Sequence, residues 1–244
     1  VSKETAVELI AEYHYSKSLP RLTTHYLGGY INDKLIGVIT CGWGVRPLHT
    51  IRKLFPSLIT KDYFEIGKMC CIEEAPKNTE SQFLSAVIRW LKDNEPTVKV
   101  LFTWADGLMS KCGYVYSAAN FVYGGYIWSD TYVTNEGEKV HPRSTGSLTP
   151  KGNSKCGRRP SIEFLKTNGW QHYRGKQFRY CYFLCNRVEK KKLLKESTVE
   201  WSKNYPKQGD LEWRKQDLNT RLWQPSKMFT YNRNSRTVAN RLRR

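Results

Sequence analysis

Acidic residues are in short supply: the 244 residues carry 22 Asp and Glu against 40 Lys and Arg, a formal charge of +18. An excess of this size implies a polyanionic partner. With 13% aromatic residues interleaved among the Lys and Arg, nucleic acid fits better than a membrane surface. Long apolar runs are missing too. None approaches the roughly 18 residues that cross a bilayer, and residues 2–15 read as an amphipathic helix, so neither a signal peptide nor a membrane anchor is expected. Cysteine is present without a useful pattern. Seven is an odd number and no spacing is C-x-x-C, which argues against a complete disulfide framework and a zinc ribbon and points to a reducing compartment. Internal repeats are absent, and a chain of this length is expected to hold one core with an appendage.

What is present is organised around residues 64–121. Phe64 to Glu73 begins with period-2 alternation and becomes nearly continuously apolar, as a central strand does. Residues 74–78, with Pro76, break it. Thr79 to Asn94 then sets Phe83, Val87, Trp90 and Leu91 on one helical face, with Asn78 or Thr79 as the N-cap. Glu95-Pro96 ends that helix, and Val98 to Ala105 is a second strand running into Asp106-Gly107. Strand, helix, strand is a βαβ unit, most simply parallel and right-handed. Ligands gather at the carboxyl ends of such strands and at helix N-termini, which puts Asp106 and the turn at residues 78–82 near any site.

Around this unit the expected order is a helix over residues 2–15, then a β-hairpin of Thr24–Tyr30 and Leu35–Trp43 turned at Asn32-Asp33-Lys34. A loop with a short helix follows over Arg46–Thr60. After the centre come an aromatic strand over Val122–Val133, broken at Gly124-Gly125, and a short helix over Ser161–Asn168 stopped by Gly169. A closing strand spans Gln177–Cys185. Lys139–Pro160 holds six Lys or Arg and no acid, and is expected to be an exposed mobile loop. From Arg187 the composition turns charged and polar with isolated tryptophans. The domain expectation is therefore a body over residues 1–186 and a basic extension over 187–244.

The order of elements matches the GNAT acyltransferase fold: an α/β (α+β) chain with a mixed central sheet flanked by helices. The residues sharpen the likeness. His14-Tyr15-Ser16, Gly37-Val38, Pro76 to Ser81, Trp104-Ala105-Asp106, Gly113 to Asn120 and Tyr205-Pro206-Lys207 resemble the phage Mom proteins, GNAT-like enzymes that modify adenine in DNA. The resemblance spans roughly residues 12–207. It implies an N6-carbamoylmethyl adenine product, an anti-restriction modification of double-stranded DNA in the cytoplasm of an infected bacterium. It also implies acetyl-CoA or a related acyl-CoA as cofactor. Lys68 and Lys111 stand where the family pattern carries arginine and histidine, and residues 74–81 contain no glycine for a pyrophosphate loop.

Candidate residues follow. Asp106, at a strand end before glycine, suits a base or a hydrogen-bond partner for an amino group, or simply a turn former. Tyr116 suits the protonation of a leaving thiolate, since a phenol pKa near 10 exceeds that of a thiol; core packing is its other reading, and Tyr114 its competitor. Asn78 and Ser81 suit a cofactor phosphate or their own helix cap, and Lys68 and Lys111 are assigned with them to the cofactor. The resemblance adds His14 and Tyr15 on the substrate side. No metal motif is readable. For DNA phosphates the candidates are Arg143, Lys151, Lys155, Arg158 and Arg159 in the loop, Arg179, and Arg221, Lys227, Arg233 and Arg236 in the tail. Trp213, Trp223, Phe229 and Tyr231 either pack on the body or stack on a base. Two other classes fit the same composition: an acyl-CoA-dependent N-acetyltransferase acting on RNA, protein or a small amine, and a non-catalytic nucleic-acid binder.

Overall fold

Strand β3 (Tyr63–Cys71) is an interior strand of the large sheet, between the strands Lys34–Gly42 and Val100–Asp106, as its apolar run demands. The computed structural model describes residues 1–17, 19–44, 47–142 and 159–232. Of the candidates, Arg143, Lys151, Lys155, Arg158, Arg233 and Arg236 lie outside the described residues. Helix α1 (Lys3–Tyr13) is capped by the Ser2 hydroxyl, which accepts from the Thr5 amide. Strands β1 (Thr23–Ile31) and β2 (Lys34–Gly42) form the expected hairpin, its turn made by Asn32 and Asp33 at φ 47° and 61°, the positive values a two-residue turn of this type requires. Helix α2 (Pro47–Leu54) precedes β3.

Helix α3 (Thr79–Asn94) then carries the chain to β4 (Val100–Asp106), which pairs parallel with β3, so the βαβ unit stands as read. After the short helix α4 (Tyr114–Ala118) come β5 (Val122–Val133), β6 (Lys139–Val140), α5 (Ile162–Thr167) and β7 (Gln171–Phe183). β7 inserts antiparallel between β4 and β5, giving the order β1-β2-β3-β4-β7-β5-β6. The result is a mixed sheet with helices on its faces. α3 buries Phe83, Leu84, Val87, Ile88 and Leu91 against Ile39, Phe64, Leu101, Phe178 and Tyr180. At about 1.5–3 kcal/mol for each fully buried apolar side chain, that stripe outweighs the marginal stability of an isolated helix. On the opposite face Ile51 and Leu54 of α2 and Leu193 of α6 (Arg187–Glu196) cover Val100, Phe102, Cys181 and Phe183.

Three expectations need correction. β7 starts at Gln171 rather than Gln177, because Arg174 and Lys176 are tolerated in a strand once ion-paired to Asp130 and Glu212. The basic loop is not loop at its described ends. Lys139 and Val140 pair with Val133 and Tyr132, and Arg159 is bound to Asp130 at 2.9 Å. The region after Arg187 is bound into the same body through residue 232. β8 (Trp213–Gln216) pairs with β7 and β9 (Trp223–Ser226) with β8. Its isolated aromatics pack. Trp201 stacks on Phe55 (centroids 5.5 Å apart) over Gly124, where any Cβ would collide with the indole. The Trp213 indole donates to the Leu108 carbonyl, and Phe229, 5% exposed, joins Leu108, Met109, Val133 and Tyr173.

Candidate active site

β3 and β4 are in register over only Tyr63–Glu65 and Val100–Phe102; beyond that they part, and a cleft of about 430 Å³ opens between their carboxyl ends. The sheet therefore has a gap through which groups from both faces meet. Thr103 and Tyr116 reach it from the α3 and α4 side. His14 and Tyr15, in the segment leaving α1, close the other side, stacked with centroids 4.3 Å apart.

Lys68 enters because of a bulge. Thr40 faces Lys68 while Cys41 faces Ile66, so Gly67 is the extra residue, and it turns Lys68 and Cys70 to the α1 side while Ile66 stays with the core under α3. The Lys68 ammonium donates to the Ser16 hydroxyl at 2.9 Å. Burial pulls its pKa down to about 8, partly opposed by Asp106. Burial, then the charge of Lys68, pushes His14 down to about 3, so its ring is neutral. Nδ1 lies 2.9 Å from both the Ser16 amide nitrogen and the Ser16 carbonyl oxygen, which fixes the ring against that residue.

Asp106 ends β4 where the sequence puts it. Its Oδ1 is shut off from solvent and has no hydrogen-bond partner among the described residues. Burial raises its pKa; Lys139, then Lys68, then the amides of Leu108 and Met109 pull it back. Lys139 is a cleft-side group that the sequence reading assigned to a mobile loop. Its ammonium lies 5.3 Å from the Tyr15 ring centroid and 5.2 Å from that of Tyr231, and burial lowers its pKa against the pull of Asp106. The hairpin signal Thr134 to Gly137, with Gly137 at φ 77°, could have located it. Thr103 was likewise passed over, and nothing local in the sequence marks it; Ser16 was named only within the His14-Tyr15-Ser16 motif and Tyr231 only as a packing or base-stacking aromatic, neither as a cleft group.

Tyr116 packs in the core and also lines the cleft. Its ring packs on Phe121 and Tyr180 (5.5 and 5.3 Å), while its hydroxyl accepts from Thr103 at 3.3 Å and keeps its own proton for the cleft. Gly113, at φ 87°, starts α4 in a conformation only glycine adopts freely, against the Tyr180 ring. Tyr114, 54% exposed, and Lys111 stand at the mouth.

A second recess of about 600 Å³ adjoins the cleft at the start of α3, sharing Cys71, Glu80, Tyr114 and Val115 with it. Asn78 lines it, but its side chain does not cap the helix: the residue is left-handed (φ 68°), and the Ser81 hydroxyl donates to its carbonyl at 3.0 Å. Among the described residues, no group of three or more His, Cys, Asp or Glu is placed to hold a metal ion.

Residues 1–207 match the Mom protein family. The chain belongs to that family. It is 26% identical over 215 residues to Methylcarbamoylase mom of Escherichia phage Mu, an alignment covering 84% of this chain and 85% of that protein. The span matched to the Mom family contains every cleft-lining residue except Gln208. Of the described DNA candidates, Arg221 and Lys227 are exposed, and Arg159 is exposed but paired with Asp130. Arg179 is not a surface cation: it donates to the Gly124 carbonyl at 2.6 Å and lies over Trp104, a use created by the bulge in β5.

Proposed function

We infer that this member of the Mom family is a DNA-modifying transferase that alkylates the N6 amine of adenine, leaving a carbamoylmethyl group, on a base swung out of duplex DNA into the cleft. What carries the reading is the coincidence of the family match with the cleft: the matched span supplies the buried carboxylate, the two lysines and the tyrosine. In the same reading the protein works in the cytoplasm of an infected bacterium. Among the described residues no helix is long and apolar enough to cross a membrane.

An adenine N6 is stacked, paired and weakly nucleophilic, so extrusion costs a few kcal/mol before any chemistry. The stacked His14-Tyr15 pair offers a flat surface for the extruded base. Asp106 is the acceptor for the N6 proton: burial raises its pKa and strengthens it as a base, and Lys139 and Lys68 oppose that rise. Tyr116, its hydroxyl oriented by Thr103, would be placed to protonate a thiolate if a thioester supplied the two-carbon unit.

The recess beside α3 fits an acyl-CoA in one respect that the missing glycines do not remove. Among the described residues the Glu80 and Ser81 amides of the first turn have no acceptor, and Lys77 lines the same recess. Asn78, Ser81 and Lys77 would hold the phosphate end, with Lys111 at the shared mouth. Bound there, an acyl-CoA supplies a two-carbon unit activated as a thioester. A thioester reacts at its carbonyl carbon, whereas a carbamoylmethyl group is joined through its methylene, so acyl transfer alone does not complete this product.

The test is mass spectrometry of nucleosides from DNA of cells expressing the chain. Deoxyadenosine heavier by one carbamoylmethyl group is expected. Unmodified DNA alongside acetylated RNA or protein would instead establish an N-acetyltransferase.

A further inference from the structure

α4 covers one end of a sheet face, through Tyr116 on Tyr180, and α5 covers the other, through Leu165 on Tyr132. Among the described residues, β5, β7, β8 and β9 leave between them a stretch with no helix over it. The strand registers bring Tyr126, Trp128, Arg174, Lys176, Arg214 and Trp223 to that one face: Trp128 is opposite Lys176, Arg174 opposite Arg214, and Gln216, two residues beyond Arg214, opposite Trp223.

Each cation sits on a ring. Lys176 Nζ is 4.9 Å from the Tyr126 centroid, Arg214 Cζ 4.5 Å from that of Trp128, and Arg174 Cζ 4.1 Å from that of Trp223. Two carboxylates steady four cations, Asp130 with Arg159 and Arg174, and Glu212 with Lys176 and Arg214, so the face keeps a positive excess. Stacking and ion pairing fix the heads and leave them open to different degrees: the Arg214 side chain is 40% exposed and Tyr126 45%, whereas Arg174 keeps 27% and Lys176 17%. A purely structural ladder would balance its charges and be covered. Among the described residues this one does neither, and it leads to the cleft. Lys176 Nζ donates to the Asp210 carbonyl at 3.1 Å, and Gln208, in the same turn, lines the cleft.

The geometry points to this face as the seat of the DNA phosphodiester backbone beside the cleft, with Arg214 and Lys176 on phosphates and Tyr126 against sugar or base. Donors already held in place lose little rotamer freedom on meeting a phosphate. The assignment rests on the DNA-modifying reading given above.

The experiment is duplex DNA binding across a salt series for the full chain, the double variant Lys176→Gln/Arg214→Gln, and a control, Lys192→Gln/Lys195→Gln, on the exposed side of α6 against the opposite sheet face. The log-log slope of the double variant should be shallower than wild type by up to about 1.8, at roughly 0.9 per phosphate, with the control unchanged. Because Lys176 also holds the Asp210 turn, Arg214→Gln alone is the safeguard. It should flatten the slope by about 0.9 with an unaltered melting temperature. Wild-type protein that binds duplex without salt dependence would sink the DNA reading itself. A steep wild-type slope that both variants retain, or that the control loses equally, would overturn the face assignment and leave the DNA reading standing.

Discussion

Asp106→Asn separates chemistry from folding more sharply than any other single change. The substitution keeps the shape of the side chain and one oxygen to accept from the Leu108 and Met109 amides, but abolishes the carboxylate as a proton acceptor. A positioned general base is worth about 10²–10⁴-fold, so the turnover barrier should rise by about 3–5 kcal/mol. Stability should move the other way. Burial raises the Asp106 pKa in the folded protein, so the proton-bound form is favoured there relative to the unfolded chain. The ionised form then costs stability once the pH is above the folded pKa, and the cost vanishes below the unfolded value of about 4. At neutral pH the variant should melt at or above wild type, and the difference should close as the pH falls through the carboxylate range. The assays are nucleoside mass spectrometry for activity and thermal melts between about pH 3 and 8, the window either side of an ordinary carboxylate. Wild-type turnover would remove Asp106 from the chemistry. Lost activity with a fall of more than about 2–4 °C, roughly 1 kcal/mol at this chain length, would make it a structural residue.

Three other changes test neighbouring parts of the argument. Lys139→Met removes the largest favourable charge on Asp106, so the acid limb of the activity profile should move to higher pH while Lys139→Arg restores it; an unmoved limb would show that Lys139 does not tune the carboxylate. Tyr116→Phe keeps the packing on Phe121 and Tyr180 and should lower kcat by about 10²-fold or more with donor KM unchanged, whereas unchanged turnover with a lower melting temperature would leave Tyr116 to the core. Phe229→Ala should cost about 3–5 kcal/mol in chemical unfolding, because its ring is buried among Leu108, Met109, Val133 and Tyr173; a loss under about 1 kcal/mol, the range of ordinary surface changes, would show that the segment is not part of the core.

Elements whose cause lies within a few neighbouring residues were legible. The stripe on α3, the Asn32-Asp33 turn and the run of β4 into Asp106-Gly107 are all local, and each stands as read except that Trp90, placed on the stripe, is exposed. Residues whose place depends on distant pairing were not. Lys139 is drawn into the site because β6 pairs with β5 and because Tyr15 and Tyr231, from opposite ends of the chain, flank it. Composition reads the same lysine as one charge in a basic loop. Arg179 misleads in the reverse direction: a cation between aromatics in a strand looks like a nucleic-acid contact, yet the bulge at Gly124-Gly125 frees a carbonyl that captures it. The tail aromatics lack periodicity because each fills a separate niche on the body rather than forming an amphipathic element of its own.

The direction of Lys68 into the cleft has the same origin, and it ties the bulge to the electrostatics. Without the extra residue at Gly67, the strand's alternation would put position 68 on the Ile66 side, in the core under α3, where an ammonium has no partner. With it, Lys68 joins Lys139 in acting on Asp106, and a carboxyl whose pKa burial raises keeps two opposing charges. Burial makes Asp106 a stronger base than an exposed aspartate, and the two ammonium groups limit how far that strengthening goes. Neither influence alone suffices: an unburied carboxylate is too weak a base for an amine proton, and a buried one without cations already holds a proton. The parting of β3 from β4, the bulge at Gly67 and the β5–β6 hairpin are thus three backbone features serving one balance of charge.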